Sequence, residues 1–286
     1  MKIYVSNYLS KSISIISYDN LVLEREIKLN ETVYPHHFCI GDDLMYIPSS
    51  NNGLLYVVDL LKEKIIDVVS IGGSLSEITL LDEEIYLINE DSNSIYILSK
   101  EDLNPIGVIE VEEMPQSLDI DRENKKIYVP CINSIVCIDS MKKKIVNKID
   151  VEFKAWNIKL DELKKQIYIS TVEGSVVILD AENMNIVKEM NDFVLPGRVR
   201  FNYPKKQIYV SDLGCKGIKI FDYDTLEYID MIKINSISYA VEVSSCGELL
   251  YISDAKQNSI KIYETESYRL VKEIQVGKEP TTIVCV

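Results

Sequence analysis

The sequence predicts an all-β protein: a seven-bladed β-propeller of four-stranded antiparallel blades, filling residues 1–286 as one domain. Three observations carry this. A short motif (an apolar residue, tyrosine, then Val, Ile or Leu) recurs seven times. Its copies are spaced by about 41 residues and cover the whole chain. Each interval holds further short runs rich in Ile, Val and Tyr, separated by turn formers, which is an antiparallel strand signature.

The motif appears as Ile3-Tyr4-Val5, Met45-Tyr46-Ile47, Ile85-Tyr86-Leu87, Ile127-Tyr128-Val129, Ile167-Tyr168-Ile169, Ile208-Tyr209-Val210 and Leu250-Tyr251-Ile252. Its tyrosines differ by 42, 40, 42, 40, 41 and 42 positions. The third unit shows the pattern within a repeat: Ile78-Thr79-Leu80, Ile85 to Ile88, Ser94 to Leu98, and Ile106 to Ile109. Asp82-Glu83-Glu84, Asn89 to Asn93 and Asp102 to Pro105 separate these runs as turns. Nowhere does a 3.6-residue period persist. Four strands per repeat and seven repeats describe a propeller. A solenoid would need polar caps, and none is visible.

The third strands repeat as Ser94-Ile95-Tyr96-Ile97, Ser134-Ile135-Val136-Cys137 and Ser259-Ile260-Lys261-Ile262, usually followed by Asp, Glu or Ser. The chain starts on a second strand, at Ile3-Tyr4-Val5, and ends on a first strand, at Pro280 to Val286. The C-terminal strand is therefore expected to join the blade whose other three strands come from residues 1 to about 30, closing the ring. The seven repeat tyrosines are expected to pack between blades.

Composition bounds the function. Hydrophobic residues make up 47% of the chain, ample for a core. Lys+Arg is 31 against Asp+Glu 45, a net charge of -14. That balance argues against a nucleic-acid partner, which needs a basic surface, and against an anionic membrane. The longest basic run, Lys142-Lys143-Lys144, reads as a solvated turn. Polar residues interrupt the N-terminus within Met1 to Asn7, unlike an export signal, and no segment has the ~18 apolar residues of a membrane span. Six cysteines show no CxxC pair. A cytoplasmic protein with reduced thiols is expected.

Tyr4-Val5-Ser6-Asn7, Tyr209-Val210-Ser211-Asp212 and Tyr251-Ile252-Ser253-Asp254 resemble the motif of the YVTN-type seven-bladed propellers. Val276-Gly277-Lys278-Glu279-Pro280 is similar to that family's glycine-then-proline link between blades. The resemblance spans the full length. It implies the architecture and does not specify an activity, because the fold carries many.

In a propeller the first strand of every blade lines the central channel. The residues entering these strands are His36-His37, Ser76-Glu77, Gln116-Ser117, Trp156-Asn157, Gly197-Arg198, Tyr239-Ala240 and Thr281-Thr282. Both histidines, the only tryptophan and one of five arginines fall at this one place in the repeat. His36, His37, Glu77, Gln116, Trp156, Asn157, Arg198 and Tyr239 are therefore the candidate ligand-binding residues, expected to face one cavity. Arg198 suits a carboxylate or phosphate, Trp156 and Tyr239 offer flat walls, and Glu77 with a histidine suits proton transfer. His36 and His37, adjacent in an expected strand, should point oppositely and make a poor metal pair. A second set at the ends of the second strands (Asn7, Ser49, Asn89, Cys131, Thr171, Asp212 and Asp254) reads as turn-bonding residues.

No G-x-S-x-G, P-loop, G-x-G-x-x-G or H-E-x-x-H motif occurs. No catalytic residue and no metal ligand is assigned, and no cofactor is expected. The leading reading is a non-enzymatic platform that binds a small polar or anionic ligand, or a protein partner, at the channel mouth. The alternative is an enzyme of lactonase or lyase type at the same place, which would admit a divalent metal.

Overall fold

A computed structural model describes residues 1–286 and contains strands but no helix. Twenty-eight strands form seven four-stranded sheets. Every pairing is antiparallel, and sequential strands are neighbours, as short turns dictate. Blades are numbered here in chain order: blade 2 spans 39–70, blade 3 75–110, blade 4 119–150, blade 5 155–190, blade 6 196–233 and blade 7 241–275.

Blade 1 takes strands Lys2–Asn7, Ser12–Ser17 and Leu23–Lys28 from the start of the chain and Pro280–Cys285 from its end. The C-terminal strand occupies the place that the first strand holds elsewhere. It pairs Ile3 with Cys285, Tyr4 with Val284, Val5 with Ile283 and Ser6 with Thr282. The link into it needs a glycine: a Cβ on Gly277 would sit 2.6 Å from Asn7 Cγ.

The chain divides into two compact units, each made of whole blades. Met1–His36 with Asp192–Val286 holds blades 1, 6 and 7; His37–Asn191 holds blades 2 to 5. In the first unit, Ile3, Val5 and Ile16 of blade 1 pack with Tyr251, Ile260 and Ile262 of blade 7. In the second, Leu81, Tyr86 and Ile97 of blade 3 pack with Ile127, Val129 and Val136 of blade 4. The core thus lies between faces of neighbouring blades, which explains why second and third strands are apolar on both faces.

The repeat tyrosines are core residues. Tyr46, Tyr86, Tyr128, Tyr168, Tyr209 and Tyr251 are at most 1% exposed. Tyr128 donates its hydroxyl proton to the Ala181 carbonyl of the next blade at 2.9 Å. The third-to-fourth strand turns begin where expected. Asp59 Oδ1 accepts the N–H groups of Leu61 and Lys62, and Asp180 and Asp222 act likewise in blades 5 and 6.

Candidate functional site

The head of each first strand is shaped by what stands opposite it. In blades 1, 6 and 7 that residue is the serine of the Tyr-Val-Ser or Tyr-Ile-Ser motif. Its hydroxyl accepts a backbone N–H from the first strand: Thr282 to Ser6 at 3.0 Å, Arg198 to Ser211 at 2.8 Å and Ala240 to Ser253 at 2.9 Å. The ladder slips between Pro196 and Val199, and similarly in blades 3 and 5. Such bulges re-aim side chains at a strand end.

Three heads lie outside the strands. Regular pairing begins only at Cys39, Asp119 and Val241, so His36, His37, Gln116 and Tyr239 precede their strands. This corrects the expectation that the two histidines are adjacent strand residues. In blades 2 and 4 the serine position holds Pro48 and Pro130, which lack an N–H and end the ladder. The histidines still have separate neighbours: His36 contacts Tyr8 and Tyr239, and His37 faces Glu77.

The second unit holds His37, Glu77, Gln116, Trp156 and Asn157. His37 Nδ1 lies 3.5 Å from Glu77 Oε1, with these side chains only 12% and 15% exposed. Gln116 and Trp156 are half-buried, and Asn157 is buried. Between them in the repeat stands Ser117, fully buried, whose hydroxyl has no hydrogen-bond partner; the Ser76 hydroxyl beside Glu77 is likewise buried and unpartnered. Two residues further along the strands, Lys159 Nζ lies 2.9 Å from Asp119 Oδ2, which also accepts the Leu160 N–H at 2.7 Å.

The first unit holds His36, Arg198 and Tyr239. Arg198 is half-buried, its backbone fixed by Ser211. The His36 ring lies 5.9 Å from Tyr8 and 6.3 Å from Tyr239, both edge to face, and Tyr8 lies 5.3 Å from Tyr34. Arg200 Nε bonds Glu242 Oε2 at 2.9 Å, at the register that Asp119 and Lys159 hold in the other unit. Sequence reading missed Tyr8, Tyr34 and both ion pairs. The available signal was opposite charge one repeat apart, Asp119 with Lys159 and Arg200 with Glu242.

At the second-strand ends, Asn89, Thr171, Asp212 and Asp254 bond backbone of nearby turns and links as expected and Asn7 bonds Ser12 and Ser14, whereas the Ser49 hydroxyl has no partner. Asp212 accepts the N–H groups of Val194, Leu195 and Cys215, and Lys219 lies 3.3 Å away. Burial pushes its carboxyl up, but these N–H donors outweigh that and hold it below the usual range. Asp254 is held low in the same sense, by Lys261 and the Gln257 N–H against burial.

Burial pushes the Cys131 and Cys137 thiols up to about 11 and Cys285 to about 12. No group of three or more His, Cys, Asp or Glu side chains is arranged to hold a metal ion. No helix is long and apolar enough to cross a membrane.

No family model and no curated protein sequence matches the chain. Solved structures do. A candidate 6-phosphogluconolactonase from Bacteroides fragilis superposes with a TM-score of 0.82 at 17% identity, covering 100% of this chain and 97% of that one. A functionally unknown protein from Desulfotomaculum acetoxidans gives 0.82 at 15% identity, covering 99% and 98%. Hydrazine synthase of Kuenenia stuttgartiensis gives 0.79 at 16% identity, covering 88% and 90%. At such identities the likeness speaks for architecture alone: seven four-stranded antiparallel blades with the C-terminal strand in blade 1, a seven-bladed β-propeller.

Proposed function

We propose that this protein is a non-enzymatic binding platform that takes a small polar ligand at the heads of its first strands. One observation carries the reading. His37, Glu77, Gln116 and Trp156 stand at these heads only partly buried, with His37 Nδ1 3.5 Å from Glu77 Oε1. Polar groups that keep an accessible face at such a place can bond a ligand. With Asn157 they make a mixture of polar groups with one large aromatic wall. In the first unit His36, Arg198 and Tyr239 hold the same register and are proposed as ligand residues on the same footing. Arg198 suits an anionic group. A YVTN-type relationship and a cytoplasmic setting belong to this proposal; the Tyr-Val-Ser repeats support the first, and six free thiols the second.

The second reading, an enzyme of lactonase type, is favoured by the 3.5 Å approach of His37 and Glu77, an acid–base pair in a partly buried setting. The Bacteroides fragilis neighbour gives it support at the level of fold.

Isothermal titration against sugars, sugar phosphates, hydroxy acids and amines tests the platform. A binder is expected, and Trp156→Ala or Glu77→Gln should weaken it at least tenfold without changing the melting temperature. Binding that ignores both substitutions overturns the site. Lactone hydrolysis abolished by His37→Gln would establish the second reading instead.

A further inference from the structure

We infer that the aromatic cluster of the first unit, formed by Tyr8, Tyr34, His36 and Tyr239 beside Glu279, is a site for a methylated ammonium group. The inference rests on the platform reading, since His36 and Tyr239 are among its ligand residues, and it names the ligand's chemistry.

The cluster is built by backbone anchors rather than by loose packing. The Tyr8 N–H donates to the Glu279 carbonyl at 2.9 Å, and the His36 N–H donates to the Tyr34 carbonyl at 2.9 Å. The His36 carbonyl accepts three hydroxyls, from Thr282 at 2.8 Å, Thr281 at 3.0 Å and Ser6 at 3.4 Å. The backbone of His36, which lies outside any strand, is thus anchored at both its N–H and its carbonyl. Fixing side chains through such a supporting shell is what a binding site requires.

The ring geometry selects the ligand. Neighbouring planes meet at 51°, 80° and 63°, so adjacent walls of the cluster stand at steep angles to one another. A rounded cation gains from each ring face turned towards it, and walls at steep angles suit its shape. The chemistry is already in use at one end. Lys11 Nζ lies 4.8 Å from the centre of the Tyr34 ring and is tied to Glu31 at 3.0 Å. No lysine of the chain covers Tyr8 or Tyr239 in this way. Glu279 is close enough to Tyr239 to raise its phenol, adding to the main effect of burial.

The test titrates the whole protein with tetramethylammonium and choline, and with 3,3-dimethylbutan-1-ol, the neutral isostere of choline. The two cations should bind, and the isostere should bind about tenfold more weakly. Tyr239→Leu and Tyr8→Leu should each weaken choline by about tenfold, and Tyr239→Phe, which keeps the ring, should retain it. Circular dichroism identifies any variant that fails to fold, and Glu279→Gln, an exchange of similar size, then provides the check through a several-fold loss. Equal binding of choline and its isostere overturns the inference, as does indifference to Tyr239→Leu and Glu279→Gln. Silence towards the cations, with a polar ligand still bound in a Trp156-dependent way, overturns the inference and leaves the platform reading; silence towards every ligand overturns both.

Discussion

Removing Pro280 to Val286 should unfold blade 1. The strand Pro280–Cys285 pairs with Ile3 to Asn7, and Lys2 and Val286 exchange backbone hydrogen bonds at 2.6 and 2.9 Å. Roughly five ladder bonds at about 1 kcal/mol net each give about 5 kcal/mol. Ile283, 2% exposed within the cluster of Ile3, Val5 and Ile260, adds about 2–3 kcal/mol. The sum, about 7–8 kcal/mol, rivals the whole stability of an ordinary protein, about 5–15 kcal/mol. The uncovered second strand would also present an apolar edge to other chains. The truncated protein is therefore expected to be insoluble, or to lose its cooperative urea transition by circular dichroism. Ile283→Ala gives a graded version, with a loss of about 2–5 kcal/mol. A truncated chain with the urea midpoint of the full one would refute the assignment of the C-terminal strand to blade 1.

Serines opposite the strand heads should differ in worth. Ser253→Ala strands the Ala240 N–H and should cost about 1–3 kcal/mol, whereas Ser49→Ala removes a buried hydroxyl with no partner and should cost nothing, or stabilise by up to about 1–3 kcal/mol, by chemical denaturation. Asp212 and Asp254 have depressed folded values, so their contribution is complete above the ordinary Asp value of about 3.9 and disappears as pH falls through the lower folded ones. Melting temperature should drop steeply below about pH 4, and Asp212→Asn should flatten that drop; an unchanged acid slope would contradict the assignment. Cys246 is the exposed thiol, and hydrogen bonding from Ser244, the Glu248 N–H and Tyr18 holds it below the ordinary thiol value. A disulfide reagent at pH 8 should modify one thiol of the six rapidly, a phase that Cys246→Ser removes.

The architecture was legible because the physics that builds it repeats. Each blade needs an aromatic between its neighbours, and the tyrosine at a 40–42 residue interval records that need. The phase of the repeat at the two ends also placed the C-terminal strand in blade 1. The strand heads were harder to read. His36, Gln116 and Tyr239 continue an apolar alternation that extended loop and strand share, and only the Pro48 and Pro130 positions mark where two of the ladders stop. Asp119 with Lys159, and Arg200 with Glu242, look alone like solvated alternates of a strand. Their meaning appears only when equal positions in neighbouring repeats are compared. Tyr8 and Tyr34 lie in links between regular strands, where no periodicity points to them.

A crystal structure of the protein soaked with a binder from the titration panel tests the central claim most directly. Ligand density within hydrogen-bonding distance of the Glu77 carboxylate or the Gln116 side-chain amide is the predicted result. Density seated on the fourth strands or on the turns after the third strands, with no contact to Glu77, Gln116 or Trp156, would contradict it.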